Sequence, residues 1–170
     1  MSKGRFSRNM SEYRITESES ESKALALLAY YGIRAERGLY VPKFDQLECE
    51  KCGSEGADPT LPAFLKAEEF KPTVTASPCK GCGGTSYKLP WYVVDLTFSR
   101  RCKIIGEVKG TKSSADDPKK IAWLRAHGYW PVIIRNEMVA QPEDFKAVCQ
   151  ALAIAVGTDK PDKLWEVELA

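Results

Sequence analysis

The chain of 170 residues contains a single histidine, three methionines and no long apolar run, and these shortages exclude whole classes of function. His127 alone cannot supply the two or three imidazoles required by His-Glu-x-x-His zinc hydrolases, two-histidine ribonucleases or histidine-metal nucleases. A Ser-His-Asp triad would have to use it, yet it stands beside Gly128 at an expected helix end, where a cationic side chain meets the helix dipole. No window approaches eighteen uncharged apolar residues, and residues 1–14 are polar and basic, without the apolar stretch of a signal peptide. The expectation is a soluble, cytoplasmic protein with no membrane partner. Internal repeats are also missing, and the only biased run is the Glu/Ser alternation over residues 17–22.

An excess of either charge is lacking too: 25 Lys and Arg against 23 Asp and Glu give a formal +2. That average conceals segregation. Residues 98–135 hold nine basic and three acidic side chains, whereas residues 136–170 hold three and seven. A basic middle is followed by an acidic C-terminal region.

What the sequence does have is six cysteines, four of them in two tight pairs, Cys49-Glu-Lys-Cys52-Gly and Cys79-Lys-Gly-Cys82-Gly-Gly. Each pair reads as a knuckle, a turn that aims two thiolates at one metal with glycine allowing the tight backbone, so together they predict a four-cysteine Zn²⁺ site of structural kind. An iron-sulfur cluster uses the same ligands, and disulfides are the other reading. Cys102 and Cys149 lie in apolar patterns and read as small buried hydrophobes. The 26 residues between the knuckles carry no sustained periodicity, so residues 47–88 are expected to form an inserted zinc subdomain in which the metal substitutes for a core.

The rest, residues 1–46 and 89–170, reads as one larger domain. Thr16 and Glu19 form a capping box for a helix whose Ala24, Leu25, Leu28 and Tyr31 share a face until Gly32 stops it. A strand is predicted over residues 39–44, and residues 91–98 are rich in β-branched and aromatic side chains. Residues 99–101 read as a turn and 102–108 as the return strand of a hairpin. Asp117 and Pro118 open a second helix with Ile121, Ala122, Trp123 and Leu124 inward, a buried strand follows over 129–135, and Pro142 starts a last helix buried through Phe145, Val148, Cys149, Leu152 and Val156. The expected fold class is α/β, a mixed sheet flanked by helices.

Chemistry concentrates in the hairpin. Alternation puts Val93, Asp95 and Thr97 on one face and Val94, Leu96 and Phe98 on the other, while Ile105, Glu107 and Lys109 point together. A three-residue turn would set Asp95 opposite Ile105 and one diagonal step from Glu107. Two carboxylates and an ammonium in so apolar a hairpin need a reason, and a hard divalent cation supplies one. Asp95, Glu107 and the Val108 carbonyl would ligate Mg²⁺ or Mn²⁺, and Lys109 would polarise the attacking water at a phosphodiester.

On Val94-Asp95 and Glu107-Val108-Lys109-Gly110 the chain resembles the PD-(D/E)XK nuclease superfamily, with valine in place of the usual proline; the resemblance covers residues 14–46 and 90–140 and leaves the zinc insert unexplained. It implies a restriction-endonuclease-like fold and metal-dependent DNA cleavage. It also implies a glutamate from the first helix at the metal site: Glu21, with Glu19 in reserve, although acids in a first turn also simply favour the dipole. Arg100, Arg101, Lys103, Lys112, Lys119, Lys120 and Arg125 flank the site as candidate DNA contacts, Lys120 where related enzymes place a polar or basic residue near the scissile phosphate; a solvated helix face accounts equally for Lys119 and Lys120. Lys51, Lys80 and Lys88 of the zinc insert would extend the DNA surface, unless the insert is purely structural.

The small size is similar to phage and archaeal Holliday junction resolvases and to TnsA-like transposon-end cutters. The leading expectation is a structure-selective endonuclease for branched DNA, acting as a homodimer with Trp123, Tyr129 and Trp130 as candidate interface. Site-specific homing, restriction-like or transposition-associated cleavage, RNA as substrate, and a non-catalytic zinc-ribbon nucleic-acid-binding protein remain alternatives.

Overall fold

The computed structural model describes residues 19–109, 117–135, 138–139 and 141–159. The described residues form a mixed α/β structure with three helices and two four-stranded sheets. The Thr16 cap lies outside the described residues. Helix α1 (Glu19–Tyr30) buries Ala24 and Leu28 one turn apart, and Gly32, at φ 75°, ends it in a conformation that costs glycine little.

The main sheet runs in the order β1 (Glu36–Pro42), β6 (Trp91–Ser99), β7 (Ile104–Lys109), β8 (Trp130–Arg135). Strands β1, β6 and β7 pair antiparallel, and β8 joins β7 in parallel after the crossover helix α2 (Asp117–Ala126). Helix α3 (Pro142–Thr158) closes the fold. One apolar cluster joins α1 and α3 to Leu96, Phe98, Ile104, Val132 and Ile134. A second joins α2, through Trp123 and Leu124, to Leu39, Val41, Val94 and Ile105.

The second sheet, β3 (Glu55–Gly56), β2 (Leu47–Cys49), β5 (Ser86–Lys88) and β4 (Thr73–Thr75), is antiparallel throughout and carries the cysteines. Contrary to expectation it has an apolar centre of its own, in which Leu47, Phe70, Tyr87 and Leu89 pack with Cys49, Cys79 and Tyr40 of the main sheet. It is also fastened to the larger unit. Tyr40 and Leu65 exchange backbone hydrogen bonds of 2.8 and 2.9 Å, Tyr129 Oη donates to the Ala63 carbonyl at 2.6 Å, and Phe64 is buried in the α2 cluster.

Several local expectations are corrected. The hairpin turn is longer than three residues: β7 begins at Ile104, Lys103 takes a left-handed φ of 53°, and the register slips between Thr97 and Ser99. Ile105 therefore faces Thr97, not Asp95, and because Leu96 faces Gly106 the same register brings Asp95 across from Glu107 itself. Val94 joins the α2 cluster while Leu96 and Phe98 join that of α1 and α3, so the three do not share one environment. Ala122 and Val156 are exposed, and Ala155 takes the buried place expected of Val156. Cys149 is buried as expected, whereas Cys102 is only half-buried in the turn. Trp123 and Tyr129 are core residues, and Trp130 packs partly buried against the main cluster.

Candidate functional site

Asp95 and Glu107 stand opposite each other on β6 and β7, the two inner strands of the main sheet. Asp95 Oδ2 accepts the Val108 N–H at 2.8 Å, so its side chain closes onto β7 where the backbone ladder would otherwise continue. Opposite stands Glu107, only 1 % exposed. A buried carboxylate needs counter-charge, and two ammonium groups supply it. Lys120 Nζ lies 2.7 Å from both Glu107 oxygens, with hydrogen-bond geometry met at Oε2, and also donates to the Val93 carbonyl at 2.6 Å. Lys109 Nζ is farther away, 3.5 Å from Oε2. Burial, assisted by the Asp95 charge, pushes the Glu107 carboxyl above its ordinary range against the pull of Lys120 and Lys109. Glu107 Oε1 is fully buried and meets Lys120 Nζ at 2.7 Å as an ion pair, so both oxygens of the carboxylate already face a cation.

Asp95, Glu107, Val108, Lys109 and Lys120 thus come together. The other candidates do not. Among the described residues no group of three carboxylates has its oxygens within 4.8 Å of one another, so Glu21, half-buried in the first turn of α1, does not complete a three-acid cluster with Asp95 and Glu107. Glu19 is on the surface, paired with Lys23 at 2.7 Å. Arg100 and Arg101 sit in the hairpin turn, five and six residues along the chain from Asp95, roughly 16 and 20 Å for an extended strand. Both are engaged by acids: Arg100 grips the Glu36 carboxylate with Nε and Nη2, and Arg101 lies 3.0 Å from Asp159. An open cleft of about 260 Å³ at that end is lined by Arg34, Glu36, Thr97 and Arg100 and by none of the carboxylate-site residues. Lys119 is exposed on α2, and Lys112 lies outside the described residues.

The four cysteines form a second centre. Their Sγ atoms all lie within 4.8 Å of one another, with Cys49 to Cys82 at 3.6 Å and Cys52 to Cys79 at 3.5 Å. Thiolates at about 2.3 Å from a tetrahedral ion would be about 3.8 Å apart, whereas a disulfide needs about 2.05 Å. The tetrad can therefore hold one metal ion.

Its two halves are built alike. Cys49 N donates to Ser54 O and Gly53 N to Cys49 O, just as Cys79 N donates to Gly84 O and Gly83 N to Cys79 O. Gly53 and Gly83 take φ of 73° and 72°, and a Cβ on Gly84 would stand 3.3 Å from Cys82 Sγ. The Ser54 hydroxyl, 3.1 Å from Cys52 Sγ, holds that thiol down to about 6 together with the Ser54 N–H. Cys82, despite the Gly84 N–H, is pushed up to about 11 by burial and its thiol neighbours. Four crowded thiols cannot all ionise without a cation among them.

Sequence reasoning missed the Val93 carbonyl, the Ser54 hydroxyl and a link at the root of the cysteine sheet. There Asp45 Oδ2 meets His127 Nε2 at 2.7 Å, His127 Nδ1 meets the Trp123 carbonyl at 2.7 Å, and the imidazole stacks on Trp123. Ser54, directly after Cys-x-x-Cys-Gly, was the one signal available. No described helix is long and apolar enough to cross a membrane. Comparison of the chain with protein-family models, curated proteins and solved structures returns no significant match.

Proposed function

We propose that the chain is a metal-dependent DNA endonuclease of the PD-(D/E)XK kind, carrying a structural Zn²⁺ in its cysteine tetrad and acting on branched DNA. The observation that carries the reading is Glu107: a fully buried carboxylate facing Asp95 across the hairpin, with two ammonium groups beside it. The element order supports it, since the aspartate lies on the central strand β6, Glu-Val-Lys on the adjacent β7, and the parallel strand β8 follows a crossover helix.

Mg²⁺ or Mn²⁺ held by Asp95, Glu107 and the Val108 carbonyl would supply Lewis acidity to water and phosphate. Asp95 is oriented for this by the Val108 N–H. Lys109 holds its ammonium at the rim of the site, where it orients water and offsets charge on the phosphate in flight. Lys120 and exposed Lys119 bring positive charge from α2 to the neighbouring backbone phosphates.

The test is cleavage of linear, nicked, flap and four-way DNA in Mg²⁺ or Mn²⁺ by wild type, Asp95→Ala and Lys109→Ala. Cleavage by wild type alone supports the reading, and DNA binding without cleavage of any substrate overturns it. One zinc per chain in a colourless protein is expected; iron with visible absorption would overturn the zinc assignment.

A further inference from the structure

Lys120 Nζ is surrounded by oxygen: both oxygens of Glu107 at 2.7 Å and the Val93 carbonyl at 2.6 Å, with the side chain only 15 % exposed. A carboxylate and a main-chain carbonyl are the donors a hard divalent cation takes, and in this site they are satisfied by an ammonium. The lysine nearest to Glu107 in sequence, Lys109, is not its main counter-ion, for its Nζ stands 3.5 Å away.

We infer that Lys120 is the resident counter-cation of Glu107, and that a divalent cation gains Glu107 only as Lys120 gives it up. This rests on the nuclease reading above and adds a positioning residue that sets the metal affinity of that site. The geometry allows little sharing. A cation at about 2.1 Å from Glu107 Oε1 would stand no more than about 4.8 Å from Nζ, given the 2.7 Å between Nζ and Oε1. At that range, beside a residue only 1 % exposed, a divalent charge and an ammonium repel strongly. The flexible four-carbon stem lets the ammonium swing away while α2 stays packed through Trp123 and Leu124. Once released it faces the same site as a partner for phosphate. The order of events is thus built into the pair: counter-ion to Glu107 first, phosphate contact afterwards.

The test is Mn²⁺ affinity, followed by electron paramagnetic resonance on the full zinc-loaded chain, for wild type, Lys120→Met, Lys120→Gln and Glu107→Gln. Removing the ammonium is expected to tighten Mn²⁺ binding at least about tenfold in both Lys120 variants, because the charge product opposing the ion is lost. Unchanged or weaker binding in those variants, while Glu107→Gln loses Mn²⁺, overturns the inference and leaves the nuclease reading standing. Absence in every form of any Mn²⁺ binding that depends on Glu107 overturns both.

A second measurement needs no variant to fold. Acylation of Lys120 in the wild type, read by peptide mass spectrometry, is expected to rise about threefold or more at saturating Mg²⁺ as the ammonium leaves its pocket. An acylation rate that Mg²⁺ does not change overturns the inference.

Discussion

The proposed chemistry rests on the buried carboxylate of Glu107, whose protonation couples to folding. Burial, reinforced by the Asp95 charge, holds the folded carboxyl above its ordinary range. The unfolded chain therefore loses this proton first as pH rises, and the linked stability falls until the folded carboxyl also ionises. Wild type is expected to lose stability relative to Glu107→Gln as pH rises above about 4 without added Mg²⁺, as measured by urea denaturation. A difference that grows with pH in the opposite sense contradicts this. The pairing of Glu107 with Lys120 was not legible in the sequence, because Lys119 and Lys120 differ only in which way they leave the helix. That direction is fixed by Trp123 and Leu124, which turn one side of α2 to the sheet.

Elements were legible where one period governs both faces. Helices α1, α2 and α3 and strand β8 follow from glycine stops, prolines in the first helical turn and apolar spacing. The hairpin was legible as a hairpin and misread in register, since a slip between Thr97 and Ser99 and a left-handed Lys103 leave no periodic mark in a sequence. The cysteine sheet carried clear metal spacing and an illegible core: its buried residues, from Leu47 to Phe70 to Leu89, are too far apart in sequence to form a pattern.

Gly106 lies under Phe98, where an added Cβ would stand 2.8 Å from Cε2 of the ring and 3.1 Å from Leu96 Cβ. Gly106→Ala should therefore cost about 1–3 kcal/mol in urea denaturation. An effect under 0.5 kcal/mol, within the usual spread for a surface change, would mean that the strands part easily. Cys79→Ser should release the tetrad metal and lower the midpoint of thermal unfolding by about 6 °C or more, because that sheet is sewn to the core through Leu65, Phe64 and Tyr129. Loss of metal with an unchanged midpoint would make the tetrad dispensable to the fold.

Over the whole molecule, the basic middle of the sequence is divided by its partners. Arg100 and Arg101 at the hairpin turn are neutralised by Glu36 and Asp159, acids too distant in sequence to be foreseen as their partners. Lys120 comes with α2 to the side where Glu107 lies, and its neighbour Lys119 is exposed on the same helix. Charge on this face is therefore what DNA should feel. Lys119→Ala is expected to weaken DNA binding and reduce the salt slope by about one unit, while Arg100→Ala changes affinity less than about twofold, both measured by fluorescence anisotropy across a salt series. The reverse ranking would move the DNA surface to the hairpin turn.

The central claim is that Glu107 is a metal ligand of a nuclease. Its most direct measurement is single-turnover cleavage of four-way and duplex DNA in Mg²⁺ by wild type and Glu107→Gln, with DNA affinity recorded beside it. Loss of about a thousandfold or more in rate with affinity retained is the predicted result, since the variant keeps the shape of the site and loses the charge that holds the cation. Equal cleavage by the two proteins would contradict the account.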